Sequence, residues 1–85
     1  MEIEEAVALS TLPPAIQTAI QSHAGTGKIL LVESITKNNA ITAYEAHVKM
    51  GRKTTEIKVG ADGQLISTES DEDEAKEKAA RKKHQ

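Results

Sequence analysis

The chain has no cysteine, tryptophan or phenylalanine, and it has one tyrosine and two prolines. Without cysteine there are no disulfides and no thiol chemistry, although no compartment is thereby identified. With Tyr44 as the sole aromatic, a core must be built from Ile, Leu, Val and Ala. No apolar run approaches the ~20 residues of a membrane span, so membrane insertion is not expected. A net charge of −2 leaves no basic footprint for nucleic acid. The N-terminus, MEIEEAVA, is acidic where a signal peptide is basic. A chain that begins after a cleavage site reads the same way.

What remains is enough for one small domain. In the last stretch, ESDEDEAKEKAARKKHQ, alanine is the only apolar residue, so it adds little core. About 65 residues are left to fold on their own, close to the size at which burial barely offsets chain entropy. The division expected is an extension over 1–9, a folded domain over 10–68 and a charged tail over 69–85.

The stretch SHAGTGKIL contains Gly-Thr-Gly-Lys, the way many phosphate-binding loops end. Such a loop needs Gly-x-x-x-x-Gly-Lys-Ser/Thr. Ser22 stands where its first glycine belongs and Ile29 where its hydroxyl belongs. A phosphate loop also leaves a strand and opens a helix, whereas this one closes a helix and opens a strand. Pro13-Pro14 after ALSTL reads as the helix start, with Ser10 or Thr11 as N-cap. At 100° per residue, Leu12, Ala15, Ile16, Ala19, Ile20 and His23 share an arc of roughly 140°. Gly25 then takes the left-handed C′ position and releases KILLVESITK as a strand.

The second half is a meander. Gly51-Arg52 as a type II′ turn sets Val48 opposite Thr55, Ala46 opposite Ile57 and Tyr44 opposite Val59. The other face then carries Lys49–Thr54, His47–Glu56 and Glu45–Lys58. A slip of one residue would destroy both patterns. Asp62-Gly63 signals a type I′ turn that would pair Val59 with Ile66 on the apolar face. Asn38-Asn39 turns the chain earlier, but ILLVESI is apolar on both faces. A two-residue loop aligns Ile29, Leu31 and Glu33 with the inner face; a three-residue loop aligns Leu30 and Val32 instead. Both registers stay open. The fold class expected is α+β: one N-terminal helix on an antiparallel sheet of three or four strands. Val7 and Leu9 alternate in the N-terminal extension, which either adds an edge strand or is disordered. Ser70 is placed to cap a helix running from Asp71-Glu72-Asp73-Glu74 to Arg81-Lys82-Lys83-His84, whose charges complement the helix dipole; a frayed tail is the alternative.

LSTLPPAIQTAIQSH followed by KILLVESITKNNAITAYEAHVKMGRKTTEIKVGADGQLI resembles the PepSY-like family, related to the beta-lactamase-inhibitor-like fold. The matching positions are Leu12-Pro13, Ile16, Ile20, Ile29, Tyr44-Glu45, Val48, Ile57, Val59 and Asp62-Gly63, within residues 10 to 67. One departure stands out: such proteins commonly end the helix with aromatic-Pro-Gly, where this chain has Ala24-Gly25-Thr26. The resemblance implies an exported bacterial domain, periplasmic or secreted, that binds or inhibits other proteins. It implies no catalytic residues and no cofactor.

The residues themselves carry little chemistry. His23 on the apolar arc reads as a boundary residue at the helix C-terminus. His47 opposite Glu56 supplies two ligands, too few for a tetrahedral zinc site, so no metal site is expected. The acidic run Glu69 to Glu74 lacks the Asp-x-Asp-x-Asp-Gly pattern of a calcium loop. No Ser, His and carboxylate set shows the spacing of a known triad. The expectation is a non-catalytic module that binds a protein or peptide, as a monomer or weak homodimer. Its surface is the sheet face with Glu45, His47, Lys49, Thr54, Glu56 and Lys58. The alternatives are a small self-associating scaffold domain, and weak metal binding by the acidic tail and histidines.

Overall fold

Two successive prolines decide where the helix begins. A residue before proline is held extended, so neither Leu12 (ψ 158°) nor Pro13 (ψ 146°) can be helical. In the computed structural model, which describes residues 1–71, the helix α1 therefore runs Pro14–Ala24 with Pro13 at its N-cap. The caps expected at Ser10 or Thr11 are displaced. These two residues lie in a 3-10 turn over Leu9–Thr11, where the Thr11 hydroxyl donates to the Ala8 carbonyl at 2.6 Å. Gln17 Nε2 reaches back instead, donating to the Leu12 carbonyl at 2.8 Å. The helix ends as expected at Gly25, whose φ of 58° suits glycine alone at little cost.

The strands are β1 (Glu2–Ala6), β2 (Lys28–Lys37), β3 (Ala40–Met50), β4 (Lys53–Gly60) and β5 (Leu65–Asp71). They form one antiparallel sheet in sequence order, with α1 against β3 and β4. The fold is thus α+β, and the N-terminal extension supplies a fifth strand at the edge. Between β3 and β4 the register is the expected one, from Tyr44↔Val59 to Lys49↔Thr54. Gly51 stands at φ 63°, and Arg52 does not share its positive φ, as a type II′ turn requires.

The β4–β5 connection differs. Gly63 has φ 89°, but Asp62 is not in the left-handed region, so the turn is not type I′. Gly63 N–H bonds the Gly60 carbonyl, and Gly60 N–H bonds the Gln64 carbonyl. This makes a three-residue loop followed by a bulge. Val59 faces Leu65, while Lys58 faces Ser67, so Ile66 is the extra residue. It is 55% exposed, and its Cδ1 would lie 3.6 Å from a Cβ built on Gly60, a position that points away from α1. The expected core residue Ile66 therefore lies on the opposite face. β5 also runs past residue 68: Ser70, expected as a helix cap, pairs with Thr55 in the sheet, where their hydroxyls lie 3.0 Å apart. The remainder of the expected tail helix lies outside the described residues.

The core beneath the helix comprises Leu12, Ile16, Ile20, Ala24, Val32, Tyr44, Ala46, Val48, Ile57 and Val59, with Val7, Leu9, Ala19 and Ile29 against its rim. Each fully buried Ile or Val contributes about 1.5–3 kcal/mol relative to exposure. His23, although on the helix's apolar arc, is exposed. The loop expected not to bind phosphate serves packing: a Cβ on Gly27 would meet Val48 Cγ1 at 2.5 Å and Met50 Cγ at 2.7 Å.

Candidate functional site

The face of the sheet turned away from α1 is where the charged side chains gather, and two bulges in the β2–β3 hairpin determine which ones. Asn38 and Asn39, at φ 52° and 67°, form a two-residue turn with Lys37 opposite Ala40. The register then shifts, with Thr36 facing Ile41 but Ile35 facing Ala43. Thr42 is the extra residue: its hydroxyl donates to the Ile35 carbonyl and its carbonyl accepts from Ala61 N–H. The register shifts back between Leu31↔His47 and Ile29↔Val48, leaving Leu30 as the extra residue. Each of the two open registers is therefore correct for part of the strand. Near its start β2 turns Ile29 inward, while from Leu31 to Ile35 it turns Val32 and Ser34 inward. Glu33, which a two-residue loop alone would bury, comes to the open face.

Rows of side chains then cross that face. One row runs Glu4, Ile35, Ala43, Gly60. The next runs Ala6, Glu33, Glu45, Lys58, Ser67, followed by Leu31, His47, Glu56, Glu69. The last holds Lys28, Lys49 and Thr54. All six residues singled out from the sequence, Glu45, His47, Lys49, Thr54, Glu56 and Lys58, share this face. The pairing of their side chains is different from the expected one. His47 lies opposite Glu56, yet its Nε2–H donates to Glu33 Oε1 at 3.2 Å and lies 3.3 Å from Glu45 Oε1. Glu56 acts instead on Glu45, whose carboxyl it favours in the protonated form.

Glu33, Glu45 and His47 are all half-buried, with about a fifth to a quarter of each side chain exposed. Burial raises the Glu45 carboxyl above its ordinary value, and the neighbouring Glu56 charge raises it further; His47 opposes the shift, and Glu4 adds to it. The three residues place ligand atoms within 4.8 Å of one another. Beside His47 and Glu45, the third group of this cluster, which the sequence reading did not single out, is Glu33. Its alternate spacing with Leu31 and Ile35 was visible, but the bulges that give that spacing its direction were not.

An open apolar cleft of about 310 Å³ lies between Val7, Leu9 and residues 29–32. It is lined by apolar side chains alone and carries no chemistry. No helix among the described residues is long and apolar enough to cross a membrane.

The architecture and this surface define a class: a one-sided α+β meander domain with an open sheet face, charged at its centre and flanked by exposed Leu31 and Ile66. No family model, curated protein or solved structure matches the chain.

Proposed function

We propose that the protein is a non-catalytic binding module of PepSY-like type, and that the open face of its sheet engages a protein or peptide. The observation that carries this reading is the one-sidedness of the fold. The helix and the 3-10 segment pack on one face, while the other presents half-buried Glu33, Glu45, His47, Glu56 and Lys58 beside exposed Leu31 and Ile66. Apolar flanks around fixed polar groups are what a protein partner needs for both burial and specificity. Self-association through sheet edges is less favoured. The β1 edge carries Glu2, Glu4 and Glu5 within five residues, and charge on an edge opposes strand addition.

An exported location, in the periplasm or outside the cell, belongs to the same reading, and the codons upstream of Met1 test it directly. For the binding role, the whole protein serves as bait in cell-envelope extract, beside a Leu31→Asp/Lys58→Glu variant and a Gln21→Ala variant on the exposed side of α1. The expected result is a protein retained by the native and Gln21→Ala baits and lost by the open-face variant. Equal retention by all three would remove the open face as the binding surface. Sedimentation at rising concentration checks the alternative, which requires a shift from monomer to dimer.

A further inference from the structure

We propose that Glu33, Glu45 and His47 form a binding site for a divalent transition-metal ion of the zinc class on the open face of the sheet. His47 Nε2 lies 3.2 Å from Glu33 Oε1 and 3.3 Å from Glu45 Oε1. Ligands held at about 2.0–2.1 Å from a tetrahedral zinc lie about 3.3–3.4 Å apart. Two edges of the ligand triangle thus already have the length that the metal requires. All three ligand atoms fall within 4.8 Å of one another, so the third edge closes by turning one carboxylate. Imidazole with carboxylates, and without thiolate, suits Zn²⁺ and its divalent neighbours. Ca²⁺ and Mg²⁺ call for all-oxygen shells, and Cu(I) for sulfur.

The way the sheet builds this cluster points the same way. Glu33 and Glu45 are directly opposite on neighbouring strands, an arrangement in which like charges repel. Glu4 from β1 and Glu56 from β4 also act on Glu45, while Lys58 stands opposite it and Glu69 stands opposite Glu56. A regular β2 would relieve the crowding by turning Glu33 inward. Instead, register shifts on both sides of residues 31–35 aim it at His47, a use to which bulges beside functional sites are commonly put. A dication there replaces carboxylate repulsion by attraction.

Three protein ligands leave a fourth position, open toward solvent, for water or a donor atom of a bound molecule. A ligating Nε2 carries no proton, so the neutral ring holds its hydrogen on Nδ1, and any ligand group that is protonated beforehand releases that proton on metal uptake. The site is independent of whether the face also meets a protein, and it is separate from the acidic tail.

The test is titration of the whole protein with ZnCl₂, followed by amide and imidazole NMR and by calorimetry. His47→Gln and Glu33→Gln serve as site variants, and a His23→Gln/His84→Gln double variant removes the other two histidines. Zinc at micromolar concentration is expected to shift the His47 ring and the amides of residues 33, 45 and 47 first. Glu33→Gln should weaken binding at least tenfold and His47→Gln more, the double variant should bind as the native chain does, and CaCl₂ at the same concentrations should leave these signals in place. Shifts confined to His23, His84 or residues 69–74 would overturn the proposal. So would native affinity in Glu33→Gln, or no binding below millimolar zinc. Should His47→Gln lose its amide dispersion, Glu33→Gln and the native shift map still decide.

Discussion

The two faces of the sheet are made by the same strands and have opposite characters. Along β3 and β4, Ala46, Val48, Ile57 and Val59 point toward the helix and are wholly enclosed. The alternate residues Glu45, His47, Glu56 and Lys58 point away and remain partly in contact with water. Strand geometry sends successive side chains to opposite faces, so stability and polar chemistry are interleaved along the chain but separated in space. In a domain with so small a core, this separation lets charges crowd on one face without breaking the other. Substitutions on the helix face should therefore cost much, and substitutions of the charged residues on the open face, unlike those of Ile35 and Ala43 buried beside them, should cost little or even stabilise.

The strongest test is Ile57→Ala. Ile57 is fully enclosed at the centre of the core, and removing it should cost about 2–5 kcal/mol, most of the stability of a chain this size. Urea unfolding and amide dispersion check this, and a stable, fully dispersed variant would contradict the assigned core. Gly27→Ala follows. Its new methyl would press on Val48 Cγ1, a stiff β-branched side chain, as well as on Met50, at a cost of about 1–3 kcal/mol. A neutral result in the same unfolding assay would mean that the helix-to-strand turn can shift.

Ser70→Ala sharpens the comparison at the sheet's edge. It removes the partner of Thr55, which is 8% exposed, and should lower the urea midpoint by the equivalent of about 0.5–1.5 kcal/mol. No change would argue that β5 ends before Ser70.

The smallest effect has the opposite sign. Glu45 is raised above its ordinary value of 4.5 by burial first and Glu56 second. Such a carboxyl holds its proton more tightly folded than unfolded. Its stabilising contribution is therefore full below the ordinary value and is lost as pH rises through the folded-state value. Glu45→Gln, with chelator present, should raise the urea midpoint at pH near 7 by an amount equivalent to less than about 1 kcal/mol. That gain should close as the pH falls below 4.5. A destabilised Glu45→Gln at neutral pH would show that the charge cluster holds the sheet together in the absence of metal.

Much of this fold was legible because it is written locally. The left-handed Gly25, the Gly51-Arg52 turn and the alternation across β3 and β4 each depend on a few neighbouring residues. Of the nine residues expected in one core, Leu12, Ile16, Ile20, Tyr44, Ala46, Val48, Ile57, Val59 and Ile66, all but the last are buried. The ninth, Ile66, was misplaced because Asp62-Gly63 admits a three-residue loop as well as a two-residue one, and the extra residue turns a side chain to the other face. The candidate site was half legible. His47, Glu45 and Glu56 followed from the second hairpin's register, whereas Glu33 depended on a strand whose faces are both apolar.

The sequence by itself determined the α+β class, the C-terminal limit of the helix and the face to which each residue of β3 and β4 belongs, since turn chemistry and side-chain alternation act over a few residues. The direction of β2 was settled only in three dimensions. From the two-residue Asn38-Asn39 turn, turning Val32, opposite Ala46, and Ile29, opposite Val48, both toward the core requires a bulge at each end of residues 31–35, because no single register meets both demands. Those bulges bring Glu33 against His47, and nothing within the strand's own pattern of residues expresses that contact.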